Sequence, residues 1–383
     1  PEERRADAAD NYSQIKPFAV VSTALHQNNT YVEAMAKKRV LNFGSLLSRP
    51  QSVFSAFPKM VWGFYPSVEI QAEQFSTYVC TKVKPYPVSF AGVSAPPINK
   101  GEPRVYGMWS SGDKRQPELA LLANLVKKRV ADCGVTIVVA KTFPSAGYIQ
   151  DNRYTGKQAN EAVAEFRNKN VTTILWPGGL ETTFSKQAGA QGYRPEIVVW
   201  GDRIFETDFG AGFQEQTVWA QARMITNVTY IPRLEDEPCY IAFKETDPAG
   251  DTSEIDHQAC PIFEDIRQLF VGIQVAGPRL GPTSIDKGFR AIPKRKSTNF
   301  AVPACFYEPG DYTCEKDAMA ERWDPSAAGG QGCYRVTQGG TRYLRGDWPT
   351  GDVLAQDKPD DPCNTYSNHN LTNPNAPNPL GED

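Results

Sequence analysis

Runs of β-branched and aromatic residues alternate along this chain with stretches whose apolar positions recur every three to four residues, the periods of a strand and of an amphipathic helix. KPFAVVST (16–23) reads as a strand, TYVEAMAKKR as a helix and VLNFGS as a second strand. A loop rich in Pro, Ser and Phe leads into 67–83, where Val68, Ala72, Phe75 and Val79 fall on one helical face and Cys80 sits in the last turn. After a Pro/Gly-rich link (85–103), RVYGMWSS (104–111) is a strand. The helix that follows takes Pro117 in its first turn and stops at Gly134. VTIVVAKTF, VTTILWPGG and PEIVVWGD continue as strands, separated by the helices NEAVAEFRNKN and LETTFSKQAGAQGY. This alternation predicts βαβ units and a parallel sheet, hence an α/β fold with doubly wound parallel sheets.

From about residue 206 the alternation weakens, through an acidic segment that holds Cys239 and Cys260. A long helix is expected in CPIFEDIRQLFVGIQVAG, where Phe263, Ile266, Leu269, Phe270 and Ile273 make a wide apolar stripe and Gly277-Pro278 marks the end. IDKGFRAI reads as a shorter helix. The aromatic and Gly-rich segment 299–350 predicts short antiparallel strands. Residues 351–383 read as an extended polar tail, with Cys363 as its one staple. No repeat of solenoid period is present.

The chain of 383 residues, 40% hydrophobic, can bury the cores of two domains. Its 41 basic and 44 acidic residues are interspersed and sum to −3, which argues against a nucleic-acid partner. With mean hydropathy −0.46 and no apolar run near the ~20 residues of a membrane span, the sequence has no such segment. Pro1 opens a charged stretch without the apolar core of a signal peptide, so an export signal is expected to have been removed or to lie upstream.

Eight cysteines without CxxC or zinc spacing read as disulfides, and so as an extracytoplasmic location: periplasmic, cell-surface or secreted. Cys80 with Cys133 and Cys239 with Cys260 are the expected pairs. For the last four, Cys305 with Cys314 and Cys333 with Cys363 is preferred among three possible pairings. The sequons at Asn11, Asn28, Asn170, Asn227 and Asn370 are read as chance.

Enzyme signatures are missing: there is no GxSxG, GxxxxGK[ST] or HExxH, and GAGFQE lacks the third glycine of a dinucleotide fingerprint. No catalytic residue, metal or cofactor is therefore assigned. Ligands of open α/β sheets bind at the carboxyl ends of strands, where turns offer amides and hydroxyls. That rule selects Ser22, Thr23 and Ser45 after the first two strands; Trp109, Ser110 and Ser111 after another; Gly178, Gly179 and Glu181 after a further one; and Asp202 after PEIVVW. Glu181 or Asp202 is a counter-charge for a ligand ammonium, and Trp109 a stacking surface. His26 is a further contact. The plainer alternatives are helix capping for the hydroxyl residues, core packing for the tryptophan and a solvated loop for the histidine. His257 and His369 offer no triad geometry.

The order of PFAVVSTAL, VLNFGS, RVYGMWSSGDKRQPELALLANLVKKRVADCG, DNRYTGKQANEAVAEFRNKNVTTILWPGG, FSKQAGAQGYRPEIVV and IFEDIRQLFVGIQVAG resembles the type I periplasmic-binding-protein family over roughly 10–350. These are the substrate-binding proteins of ABC importers for branched-chain amino acids, amides and related solutes. The resemblance implies two doubly wound lobes with a ligand crevice between them, one built from 1–66 and 229–298 and the other from 67–228 and 299–350. It also implies capture of a small polar molecule by closure, with hinges near 66, 228 and 298, and delivery to a membrane permease. The family opens with further βα units before the strand that PFAVVST resembles, which suggests a fragment. Two rivals remain: an exported α/β hydrolase with Ser111 as nucleophile, and a surface-assembly protein reusing the fold.

Overall fold

The computed structural model describes residues 2–21, 29–44, 48–144, 152–201, 205–228, 234–252, 255, 259–294, 303–327, 330 and 332–364. In the main sheet the run around Met108 and Trp109 shows why the strands read as unbroken apolar stretches. Alternate side chains enter two separate cores, Met108, Leu175 and Val198 on one face and Trp109, Trp176 and Val199 on the other. A parallel sheet covered by helices on both faces has no solvent side to keep polar. Five parallel strands form its body: β4 (Tyr106–Ser111), β5 (Ile137–Phe143), β6 (Thr173–Trp176), β7 (Glu196–Trp200) and β8 (Ala222–Thr226). Their order is β8-β7-β6-β4-β5, and β9 (Asp317–Asp324) adds antiparallel to β8. β10 (Cys333–Val336) and β11 (Tyr343–Leu344) both pair with β9 antiparallel, as the turn-rich sequence of 299–350 predicts.

The second sheet is small and wholly parallel: β1 (Ala19–Val21), β2 (Leu41–Phe43) and β3 (Val61–Trp62). On one side α1 (Glu2–Ile15) lays Ala8 against Met35 and Val40, and α2 (Asn29–Lys37) joins them. The charged sequence of α1 hides this helix, because Ala8 and Tyr12 supply most of its contact face. On the other side are α11 (Cys260–Ala276) and α12 (Pro282–Ala291), with Phe289 stacked on Phe43 at 5.3 Å and tilted onto Trp62 at 4.7 Å. Gly272 and Gly288 let these two helices touch, since a Cβ at either would run into Phe289 or the facing backbone.

Two helices pack on the Met108 face of the main sheet. α4 (Val68–Tyr78) is capped by Ser67, whose hydroxyl accepts from the Ile70 amide at 3.4 Å. It continues as a π-helical turn, Val79–Val83, so the helix expected over 67–83 is present with its last turn widened. α5 (Pro117–Asp132) has Pro117 in its first turn and is followed by Gly134 at φ +86°.

The cysteines pair Cys80–Cys133, Cys239–Cys260, Cys305–Cys314 and Cys333–Cys363, the connectivity preferred from sequence. The polar C-terminal stretch differs from expectation. Residues 353–356 form a short helix whose Val353 enters the core beside Trp348, and Asn364 is fully buried. Cys363 is one of several ties: Arg322 donates to the Lys358 carbonyl at 2.8 Å, Arg335 to the Asp361 carbonyl at 2.6 Å, and Asn364 to Glu321 at 2.7 Å. Composition undervalues this segment because its polar groups are satisfied by the sheet rather than by water. The rest of the expected tail, 365–383, lies outside the described residues.

Where the chain passes between the sheets, its segments are tied to each other. The Gly63 amide donates to the Tyr312 carbonyl at 2.8 Å, and the Glu315 amide to the Phe64 carbonyl at 2.9 Å. Arg342 is buried and donates to four acceptors: the Asp317 carboxylate at 2.9 Å, the Val228 carbonyl at 2.6 Å, the Asn227 carbonyl at 3.0 Å and the Asp317 carbonyl at 3.5 Å. The Asn227 side chain in turn donates to Glu315.

Candidate functional site

Parallel strands present their carboxyl ends on one edge, so each sheet has a single edge where turns and helix N-termini gather. Of the residues this rule selects, Ser22, Thr23, His26, Ser45 and Asp202 lie outside the described residues. The remaining six come from two neighbouring turns of the main sheet. Ser110 and Ser111 end β4 and are almost completely buried. The Ser111 hydroxyl accepts from the Asp113 amide at 3.1 Å, closing its own turn. Asp113 then holds Arg115 through both carboxylate oxygens, at 2.7 Å and 3.0 Å.

Gly178 and Gly179 follow β6 with φ of +86° and +85°, a double left-handed step that needs glycine. A Cβ on Gly179 would lie 3.3 Å from that of Ser111, so the two turns touch. The structure thus places Ser111 and Gly179 side by side.

Glu181 and Trp109 depart from their expected roles. Both are fully buried. The Glu181 carboxylate accepts from the Phe184 amide at 2.9 Å, the Thr183 amide at 2.5 Å, the Thr183 hydroxyl, and the Trp109 indole at 3.2 Å. It therefore caps α7 (Thr183–Ala190) from inside the protein instead of offering a counter-charge to a ligand. Burial raises its pKa, and the hydrogen bonds oppose that rise. Trp109 packs between Phe143 at 5.2 Å and Phe184 at 5.3 Å, the core-packing alternative.

The structure adds charged residues that pattern reading passes over. Arg49 follows β2, with 5% of its surface exposed, and donates from Nη1 to the Gly44 carbonyl at 3.0 Å. Gly44, at φ +75°, lies against Asp265 of α11, where a Cβ would fall 2.7 Å from the carboxylate. Opposite, in the first turn of α5, stands Glu118, also 5% exposed. Arg49 feels the negative charges of Glu118 and Asp265, and Glu118 feels Arg49 and Asp113. Burial lowers the Arg49 pKa to about 10 and raises that of Glu118 to about 7. Arg49 Nε and Glu118 Oε1 have no hydrogen-bond partner among the described residues.

The carboxyl edge of the small sheet and that of the main sheet are thereby within electrostatic reach of each other. In sequence, Arg49 is one basic residue in a loop and Glu118 an ordinary acidic residue in a first helical turn. Only their approach from separate sheets singles them out.

This α/β architecture with parallel sheets matches the fold of solved periplasmic solute-binding proteins. Solved structures of that fold align with most of the chain. A solute-binding protein of an ABC transporter from R. palustris, in complex with 4-hydroxybenzoate, superposes with TM-score 0.62 at 12% identity over 91% of this chain and 84% of its own. A leucine-binding protein from Thermotoga maritima gives TM-score 0.58 at 15% identity, covering 91% and 85%. The closed form of a leucine-, isoleucine-, valine-, threonine- and alanine-binding protein from Brucella ovis gives 0.59 at 11%, covering 94% and 86%. No family model and no curated protein matches the sequence. At these identities the likeness is one of fold.

Proposed function

We propose that this protein is an extracytoplasmic solute-binding protein that captures a small polar molecule between two lobes and hands it to a membrane ABC permease, without catalysis. The observation that carries the reading is that Arg49, after β2 of the small sheet, and Glu118, in the first turn of α5 after β4 of the main sheet, each feel the other's charge and each keep a buried polar atom with no hydrogen-bond partner among the described residues. The solved structures sharing the fold include proteins titled as binding leucine and 4-hydroxybenzoate, which supports a ligand of that size. Four disulfides support export.

In this reading one lobe comprises 1–66 and 229–298 and the other 67–228 and 299–350, with 353–364 packed on the latter. Closure pivots on the passages joined through Gly63, Asn227, Glu315 and Arg342. Ser110, Ser111, Gly178 and Gly179 line the wall on the main-sheet side.

The test is a thermal-shift screen of the oxidised protein against amino acids, amides, small aromatic acids and sugars. A saturable rise in melting temperature with one chemical class is expected, because a ligand specific to the folded state stabilises it. Absence of any shift at millimolar concentrations, confirmed by calorimetry, would overturn the proposal.

A further inference from the structure

We infer that Arg342 is a positioning residue for lobe movement: its guanidinium clasps the passage that leaves β8 to the passage that enters β9, and so fixes the point at which the lobes part. The inference rests on the two-lobe reading. It concerns how far the lobes range, not what they hold.

The passage entering β9 carries Glu315, Lys316 and Asp317, three consecutive charged residues that are only 1%, 3% and 2% exposed. Charged side chains are seldom fully buried unless paired, and each of these finds its partner in a different place. Glu315 accepts from the Asn227 side chain, which lies in the passage leaving β8. Lys316 meets Asp311 at 2.7 Å and donates to the carbonyl and hydroxyl of Thr313, within its own passage. Asp317 accepts from the Ala304 amide at 2.9 Å and from Arg342 Nε at 2.9 Å. A buried ion pair adds little net stability over apolar packing, and losing one partner is costly, so what these pairs supply is placement.

The backbone ladder does not provide that placement. β8 and β9 last pair at Thr226 and Met319. Beyond that point Arg342 takes over: Nη1 donates to the Val228 carbonyl at 2.6 Å and Nη2 to the Asn227 carbonyl at 3.0 Å, while Nε holds the Asp317 carboxylate. Nη2 also reaches the Asp317 carbonyl at 3.5 Å. A guanidinium suits the task because its planar fork offers donors in several directions at once. Arg342 is anchored in turn. Its neighbour Tyr343 pairs with Ala318 of β9, and Gln74 of α4 donates to the carbonyls of Tyr343 at 3.1 Å and Lys316 at 3.2 Å. One side chain thus carries the junction of β8 and β9 past the end of their ladder, to Val228.

Backbone rotation that swings the lobes has to start where a passage is no longer clasped. With Arg342 in place, rotation in the passage leaving β8 starts only after Val228; without it, directly after Thr226. The difference is about two residues, or roughly 7 Å of added slack in extended chain. The passage entering β9 is also bonded to the one that follows β3, the Cys314 amide to the Gly63 carbonyl at 3.1 Å and the Glu315 amide to the Phe64 carbonyl at 2.9 Å. Those bonds do not involve Arg342, so its loss loosens one passage and leaves the other two paired. A narrower range of open forms leaves less freedom to lose on closing, and in that sense the clasp preorganises capture.

The experiment is time-resolved energy transfer between dyes on keto amino acids placed at Lys37 of α2 and Asn124 of α5, one in each lobe and both exposed, in the unliganded, oxidised full chain. Arg342→Ala is expected to broaden the wild-type distance distribution by several ångström, on the order of the added slack. Arg342→Lys still pairs with Asp317 but lacks the fork, and its distribution is expected to fall between the two. Asn227→Ala removes the tie to Glu315 and keeps the carbonyls that Arg342 holds, so it broadens the distribution less than Arg342→Ala does. Glu196→Ala controls for destabilisation alone: it breaks a buried ion pair at the opposite ends of the strands and should leave the distribution as in wild type. An unchanged distribution in Arg342→Ala, or equal broadening in Glu196→Ala, would overturn the inference. If Arg342→Ala does not fold, Arg342→Lys and Asn227→Ala decide, and wild-type distributions in both would overturn it. No ligand takes part, so these outcomes leave the solute-binding reading standing, and that reading fails separately, in the solute screen.

Discussion

Arg104 and Glu196 meet at 2.6 Å in an ion pair whose side chains are 2% and 0% exposed. Glu196 opens β7 and also accepts from the amides of Ser89 and Phe90, at 2.7 Å and 3.0 Å, and from the Thr173 hydroxyl at 2.6 Å. Arg104 donates to the carbonyls of Val83, the last residue of the π-helical turn, and of Tyr86 just beyond it. The pair pins the long Pro-rich link to the amino ends of the strands, far from the carboxyl edge that the proposed ligand occupies.

Removing one member of such a pair leaves a buried charge without its partner. Glu196→Ala is therefore expected to destabilise the protein by about 3–5 kcal/mol, read as a lowered urea midpoint. The surviving folded fraction should bind ligand with wild-type affinity. A loss below 1 kcal/mol would mean that the link does not depend on this pair.

Glu181 makes a second stability prediction and corrects a functional one. Glu181→Ala removes the acceptor for the first amides of α7 and for the Trp109 indole. A cost of about 2–3 kcal/mol is expected, with ligand affinity unchanged once folding is allowed for. A variant of normal stability that lost ligand would return Glu181 to the site.

Glu321, on β9, ties stability to pH. Its carboxyl is fully buried and pushed up to about 8, by desolvation first and then by Glu206, while Asn364 and Arg342 act in the opposite sense. A carboxyl whose folded pKa lies above its unfolded value favours folding at low pH. That benefit is lost as pH rises towards the folded pKa. Glu321→Gln should thus gain stability relative to wild type between pH 5 and pH 9, by about 2–4 kcal/mol across the interval. Equal melting curves for the two proteins at pH 9 would contradict this.

The Cys333–Cys363 bridge holds the segment that carries Asn364 to Glu321. Replacing both cysteines by serine is expected to cost about 2–4 kcal/mol. Amide exchange in 357–364 should accelerate while the amides of β6 and β7 stay protected. Unchanged exchange in 357–364 would show that the ties through Arg322 and Arg335 suffice without the bridge.

Much of the fold is legible in the sequence because its strands and helices are long enough to show their periods. β4 to β7 announce themselves as apolar runs, and Pro117 and Gly134 mark the ends of α5. The helix α1 is not legible: a face of Ala8 and Tyr12 in a charged sequence gives almost no period. The packed residues 353–364 read as tail because their burial depends on the sheet residues across from them. Glu181 misleads for the same reason. A Gly-Gly-Leu-Glu turn after a strand offers a carboxylate at a plausible site edge, and nothing local says that its oxygens turn inward to cap α7.

The sequence by itself determined the α/β order, the parallel sheet and the expectation of disulfides, since periodicity, turn residues and cysteine count are local or additive properties of the chain. The tertiary structure decided which residues meet: that Trp109 and Glu181 are interior, that Asn364 reaches Glu321, and that Arg49 and Glu118 come within each other's field from separate sheets. Burial and electrostatic coupling depend on distances in space between residues remote in sequence, and a one-dimensional pattern carries no record of those distances.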